Sequence, residues 1–444
     1  MNQSSSALLT DLYQLTMLQG YLEQRMEETA VFEVFVRKLP PRRGFLVAAG
    51  LEPALSYLET LRFTPSELDW IAKSGRCSTA LVAFLEQFRF TGDVHAMPEG
   101  TVFFPDEPIV RVTAPLPQAQ LVESRLINLL HFQTLIASKA VRAVLAAPGK
   151  ELVDFGLRRA HGAEAGLLAA RASYLVGFSG TATVQAGALF GIPVYGTVAH
   201  SFIQAHEDEM EAFEHFALAQ PDHVVLLLDT YDTEAAARKV VALAPRLQKR
   251  GITIKGVRLD SGNLADHARR VRRILNDGGL PDVRIVASGN LDEYAVQELM
   301  AVNAPIDSFA VGTHMTTSSD APYLDCVYKL QEYAGRASRK TSEGKATWPG
   351  RKQVYRHEGG DGRMAHDVLT LADDPQDGSV LIQPVMREGR RLAPAPGLAD
   401  VRARVADELA RLPEHLRQLQ DGPPYQVRVS QALRDLAKAC DERR

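Results

Sequence analysis

The chain is poor in the residues that would mark several broad classes. It has three cysteines, Cys77, Cys326 and Cys440, odd in number and far apart. That excludes a disulfide framework or a zinc cluster and fits a reducing cytoplasm, where we expect the protein to reside. Charge of one sign is not in surplus either. The formal net charge is −4 over 444 residues, which argues against nucleic acid or an anionic membrane as the main partner. No run of about 18 apolar residues occurs, so no spanning helix is expected. The opening MNQSSSALLTD lacks the charged-then-apolar layout of a secretory signal. Internal repeats and low-complexity segments are also missing, apart from the strand–helix units described next.

What is present is a recurrent pattern. Seven apolar runs end in small, polar or charged residues: 153–159, 175–181, 193–200, 224–233, 254–263, 284–290 and 308–314. Amphipathic stretches separate most of them. This predicts an α/β fold with an irregular (β/α) barrel, whose functional residues sit at the C-terminal ends of the strands. Barrel helices are expected at about 159–174, 183–190, 205–219, 233–250, 262–277 and 291–301. Gly251, Gly278, Gly279 and Pro281 punctuate the returns to strand.

Residues 1–120 read as an α+β region. It has a helix from Leu8 to Leu22 capped by Thr10 or Asp11, a strand from Val31 to Val36, a turn and short strand within 44–50, a helix at 52–60, and a small antiparallel sheet within 94–114. Residues 119–147 carry the strongest helical pattern, stopped by Pro148 and Gly149, and form a linking helix. We place the barrel domain at 121–330 and a C-terminal region at 331–444 that returns to pack with the N-terminal domain. Within it, 334–350 reads as a polar mobile loop, strands fall at 353–356, 367–372 and 380–386, and helices occupy the last 40 residues around 421–425.

The strand ends carry the chemistry. Ser288, Gly289 and Asn290 follow one late strand, and Gly312 and Thr313 the next. Small residues there let backbone N–H groups approach an anion, as in barrel phosphate sites, although glycine also simply ends strands. Asp229, Asp232 and Asp260 can hold Mg²⁺ with phosphate oxygens or accept from a ribose diol; the plainer role for Asp232 is a helix cap. Arg158, Arg159 and Arg258 would point into the same mouth and suit carboxylate or phosphate, with Arg159 equally placed to be a solvated helix residue. His200 ends the segment GTVAH and can serve as base or phosphoryl acceptor; His161, His206 and His314 compete with it. The residues alone indicate a phosphorylated sugar or nucleotide, Mg²⁺ and one reactive histidine.

The motifs then become specific. LLTDLYQLTM (8–17), the block 32–58, RLINLLHFQTLIASKA (125–140), DFGLRRAHG (154–162), GTVAHSF (196–202), GVRLDSGN (256–263), VYKL (327–330) and GRKQVYR (350–356) resemble, in order, those of the nicotinate phosphoribosyltransferases. The resemblance runs from about Leu8 into the C-terminal region. It implies a type II phosphoribosyltransferase of NAD salvage, which joins nicotinate to 5-phosphoribosyl-1-pyrophosphate. It further implies ATP hydrolysis coupled through a phosphohistidine at His200, and Mg²⁺ bound through pyrophosphate near Asp229 and Asp260. Tyr13, supplied across a homodimer, and Phe155 would stack the pyridine. Arg158 and Arg258 would sit near the ring and the pyrophosphate or ribose. Thr197 and Ser261 lie in the matching motifs as substrate contacts, and Ser288, Gly289, Asn290, Gly312 and Thr313 would surround the 5′-phosphate. The family usually reads D-S-G-D where this chain has Asp260-Ser261-Gly262-Asn263, and Asn there resembles the nicotinamide enzymes. The competing readings are a nicotinamide or quinolinate phosphoribosyltransferase and a non-catalytic nucleotide-binding barrel.

Overall fold

A computed structural model describes residues 6–443. The chain divides into two compact units, Met1–Ser138 with Ala321–Arg444, and Lys139–Asp320.

The discontinuous unit is built on a seven-stranded sheet. An inner strand, Thr29–Val36, is buried along nearly its whole length and flanked antiparallel by Pro108–Pro115 and by Cys326–Tyr333. The segment 327–330 was expected within the barrel domain; it instead lies in this flanking strand, pairing Phe35 with Val327 and Phe32 with Leu330. Tyr328 is buried there and stacks on Phe32 with ring centroids 4.7 Å apart. Burying that face against the aromatic and aliphatic side chains of the unit's core decides the sheet to which the strand belongs. A four-stranded sheet adds the neighbouring strands Lys352–Glu358 and Met364–Leu371, with Val427–Val429 parallel to the latter. Arg356, in the segment GRKQVYR, is a structural residue: it is buried, grips Asp367 with two nitrogens (3.0 and 2.7 Å) and reaches Glu408 at 2.9 Å. Buried charge of this kind persists only when every partner is in place.

Local expectations hold with adjusted ends. The first helix is Leu12–Glu23, with Asp11 at the cap position, but its carboxylate accepts from Ser124 rather than from a helix amide. The expected single helix at 119–147 is two, Leu116–Leu121 and Glu123–Ala146. The 334–350 loop is closed on itself by Thr347 N–H to Lys340 O and Lys340 N–H to Thr347 Oγ1, and anchored by Gly350 N–H to Gln331 O.

The second unit is the barrel. Its parallel sheet runs, in spatial order, Gly180–Thr181, Glu151–Asp154, Ser308–Val311, Arg284–Ala287, Gly256–Leu259, Val225–Leu227. A single parallel bridge from Thr181 to Val194 adds the remaining strand position. Thus all seven apolar runs end at barrel positions, and the wall is irregular because two of them contribute only a residue or two. Helices follow the strands at Ala163–Leu175, Val184–Phe190, His200–Gln204, Glu209–Ala219, Thr233–Gln248, Leu264–Asp277 and Glu293–Ala301. The expected 205–219 helix starts later because 205–208 intervene between two helices.

Alternation sets which residues face the axis. A cavity of about 170 Å³ inside the barrel is lined by Val153, Phe155, Thr197, Val225, Gly256, Val286, Ser308 and Ala310, among others. Their neighbours Leu152, Leu226, Val257, Ile285 and Phe309 are buried and point the other way, toward the helices. No helix of the described residues is long and apolar enough to cross a membrane.

Candidate active site

Counting by twos along the strands places the polar residues. From Gly256 the axis-facing series continues to Arg258 and Asp260; from Val286 it reaches Ser288. Arg258 is the hub. Its Nε donates to Ser288 Oγ at 2.9 Å, Nη1 to Thr197 Oγ1 at 2.7 Å and Val198 O at 3.2 Å, and Nη2 to Asp260 Oδ1 at 3.0 Å. The guanidinium carbon lies 5.7 Å from the Phe155 ring centroid, within cation–π range. One side chain therefore joins strand ends from four of the seven runs.

Asp260 is held on both sides. Its Oδ1 also accepts from Ser288 Oγ at 2.5 Å, and its N–H donates to Asp229 Oδ2 at 3.2 Å. Burial pushes the Asp260 pKa up, but the Ser288 hydroxyl, Arg258 and then His200 outweigh it and hold the carboxyl below its ordinary range. It is a carboxylate at neutral pH. Asp229 Oδ2 accepts from Ser261 Oγ at 2.5 Å, while Oδ1 is buried and has no partner. A buried carboxylate oxygen left unpaired is costly, so Asp229 Oδ1 is an open acceptor next to Asp260.

His200 begins the short helix His200–Gln204. Its Nδ1 is 3.1 Å from Thr230 Oγ1, and its Nε2 is 3.7 Å from Asp260 Oδ2. The competing histidines are occupied elsewhere: His206 contacts Phe202 O and His215, and His314 spans Asn290 and Ser319. His161 is exposed. Asp232 takes the plainer role, its carboxylate capping Ala235 N–H at 2.6 Å.

Two late loops close tightly around this rim. Gly289 has φ +93°, and a Cβ there would lie 1.8 Å from the Asp260 carbonyl oxygen. At Gly312 a Cβ would come within 2.8 Å of Phe155 O. Only glycine permits these approaches. Asn290 adopts the left-handed conformation, φ +53°, and its Oδ1 meets His314 Nε2 at 3.0 Å, tying the Gly289 and Gly312 loops together. Gly289→Ala should cost at least about 1–3 kcal/mol and displace the Asp260 backbone, lowering both the denaturation midpoint and affinity for the phosphorylated substrate. Unchanged values for both would contradict this packing.

Arg158 and Arg159 occupy a 3₁₀ turn, Leu157–Arg159, and are exposed, unlike Arg258. Thr313 is likewise exposed beside Gly312. Tyr13 belongs to the other compact unit, on the helix Leu12–Glu23, with 46% of its surface exposed. Asn263 is spent on capping the helix Leu264–Asp277. Its Oδ1 accepts from Asp266 N–H and its Nδ2 donates to Asp266 Oδ2 at 2.8 Å. An aspartate at 263 could also cap but would face Asp266 with like charge.

Sequence reasoning missed two residues, Asp154 and Thr230. Asp154 ends the first barrel strand, buried, accepting from Gly156 N–H and Thr181 Oγ1; burial raises its pKa despite these bonds. Thr230 contacts His200, while His314, a rival of His200 in the sequence, instead bridges the two late loops. Thr230 was within a strand-end segment, beside Asp229, but only its contact with His200 singles it out.

Among the described residues, no group of three or more His, Cys, Asp or Glu is arranged to hold a metal by itself. The two carboxylates suit Mg²⁺ only in the manner usual for that ion, one or two side chains completed by substrate phosphates.

Comparison with known proteins places the chain in a family. The nicotinate phosphoribosyltransferase (NAPRTase) N-terminal domain matches residues 8–131, the nicotinate phosphoribosyltransferase (NAPRTase) family residues 150–343, and the nicotinate phosphoribosyltransferase C-terminal domain residues 374–437. Nicotinate phosphoribosyltransferase pncB2 of Mycobacterium tuberculosis is 45% identical over 438 residues, 97% of this chain and 93% of that protein. The Bacillus subtilis nicotinate phosphoribosyltransferase is 37% identical, over 96% of this chain and 93% of its own. The crystal structure of human nicotinic acid phosphoribosyltransferase superposes with a TM-score of 0.87 at 30% identity, covering 97% of this chain and 99% of that one. With its rim built around Arg258, Asp260 and His200, this chain belongs to the nicotinate phosphoribosyltransferase family.

Proposed function

We propose that the protein transfers the phosphoribosyl group of 5-phosphoribosyl-1-pyrophosphate to nicotinate in NAD salvage. The ring nitrogen attacks C1 of the ribose, the C1–oxygen bond breaks, and pyrophosphate leaves. The observation that carries this reading is the convergence of Arg258, Asp260, Asp229 and His200 on one rim, with Phe155 beneath the guanidinium.

The roles follow from the chemistry. As C1 becomes oxocarbenium-like, negative charge grows on the departing pyrophosphate, and a fixed cation is needed there or at the nicotinate carboxylate. Arg258 is preorganised for it by four hydrogen bonds. The pyridine nitrogen is already a nucleophile, so no strong base is required; Phe155 orients the ring, opposite the partner subunit's Tyr13 in a homodimer with shared sites. Arg158, exposed at the same strand end, would reach the ring or the pyrophosphate, with Thr197 and Ser261 as further contacts. Ser288, Gly289, Asn290, Gly312 and Thr313 would receive the 5′-phosphate through close-approaching backbone. Asp260 and the open Oδ1 of Asp229 would hold Mg²⁺ or the ribose hydroxyls. When bound, Mg²⁺ would neutralise pyrophosphate charge. ATP would act as co-substrate by phosphorylating His200, adding charge and acceptor oxygens that reorganise the rim. We place the enzyme in the cytoplasm, in keeping with its few, widely spaced cysteines.

The test is a product assay with nicotinate and nicotinamide side by side, with and without ATP. Nicotinate mononucleotide should form, faster with ATP, and the nicotinamide product should be negligible. Equal or greater turnover of nicotinamide would overturn the base assignment.

A further inference from the structure

Thr230 touches neither substrate group nor metal ligand in the reaction proposed above, yet it is the hydrogen-bonding partner of His200. It follows Asp229 at the end of the strand Val225–Leu227, and its Oγ1 lies 3.1 Å from His200 Nδ1. His200 Nε2 is left on the opposite edge of the ring, 3.7 Å from Asp260 Oδ2 and beyond hydrogen-bond distance. The ring is about two-fifths exposed, so a phosphoryl donor can reach it from the mouth.

We propose that Thr230 is the positioning residue for phosphoryl transfer to His200, and that it fixes Nε2 as the accepting nitrogen. This rests on the phosphohistidine reading above. The two ring nitrogens are distinguished by the bond that one of them makes. With Nδ1–H donated to the Thr230 hydroxyl, the lone pair sits on Nε2. In the transfer, Nε2 bonds to the γ-phosphorus of ATP, the bond from that phosphorus to the β,γ-bridging oxygen breaks, and ADP leaves with the electron pair. The ring keeps its Nδ1 proton, still held by Thr230, and the phosphoryl group stands on the Asp260 edge of the ring. There its negative charge faces the Asp260 carboxylate and the Arg258 guanidinium bonded to it at 3.0 Å. Phosphorylation at Nε2 therefore bears directly on the Arg258–Asp260 pair, whereas phosphorylation at Nδ1 would break the Thr230 contact and point away from it.

The experiment is single-turnover phosphorylation of the full-length enzyme with γ-labelled ATP and Mg²⁺, combined with ³¹P NMR to locate the phosphate on the imidazole. Wild type should carry phosphate on Nε2 alone. Thr230→Val, close in shape but unable to accept, should form phosphoenzyme about tenfold or more slowly, the scale of a lost orienting contact, and should distribute phosphate between both nitrogens. Thr230→Ser should restore rate and position, which a merely structural role for the side chain would not require. Phosphate on Nδ1 in the wild type, or wild-type rate and position in Thr230→Val, would overturn the proposal while leaving a phosphohistidine in place. No acid-labile label on the wild type, with His200→Ala as control, would remove the phosphohistidine reading itself and this proposal with it.

Discussion

Arg258→Ala should lower kcat/KM by about 10²–10³-fold, the loss typical of removing one preorganised donor from a developing negative charge. The side chain makes contacts from Thr197 to Ser288 and is mostly buried, 11% exposed, so its position is set before substrate arrives. Two controls separate lost catalysis from lost architecture. Arg258→Lys keeps the charge but not the fork that binds Ser288, Thr197 and Asp260 together, and should recover only a small part of the rate. Arg159→Ala, at an exposed position on a neighbouring turn, should stay within about twofold, as surface substitutions generally do. Equal kinetics for Arg258→Ala and Arg159→Ala would mean that the strand orientation inferred here is wrong.

His200→Ala should abolish stimulation by ATP. Initial rates with and without ATP should coincide in this variant, at whatever slow transfer the remaining rim supports, and ADP should no longer accumulate with product. The expectation comes from position: His200 is the histidine that contacts the Asp260 carboxylate, and its rivals His206 and His314 have both ring nitrogens engaged with other residues. Full ATP stimulation in His200→Ala would reassign the phosphoryl acceptor, and His161 would be the next to test.

The site was legible in the sequence to the extent that it obeys a two-residue period. Val153 to Phe155, Gly256 to Arg258 to Asp260, and Val286 to Ser288 follow from knowing where strands end, since alternate side chains share a face. Asp232 was legible as a cap because a helix start follows it directly. What could not be read were pairings that depend on distances between runs. Thr230 beside His200 is thirty residues removed in sequence, and His314 on Asn290 twenty-four. The 327–330 segment was misplaced for a related reason: its alternation is that of any strand, and its sheet is decided by pairing with Thr29–Val36 and by burial against a distant core, Tyr328 on Phe32 included. The cap position of the first helix was legible as Asp11, but not its bond, because the carboxylate finds a hydroxyl donor, Ser124, more than a hundred residues away.

The antiparallel pairing of Thr29–Val36 with Cys326–Tyr333 has a consequence for how the protein is made. Ala30 and Tyr333 are partners, so a ribosome must add some 300 residues between them, the whole barrel included. At roughly 5–20 residues per second, one edge of a deeply buried strand waits on the order of 15 to 60 seconds for its neighbour. During that interval the nascent chain carries an apolar ribbon with unsatisfied amides, the kind of surface that chaperones shield and that other nascent chains can capture. The barrel, whose strands are contributed by one continuous stretch of chain, has no such wait, and co-translational folding should complete it first.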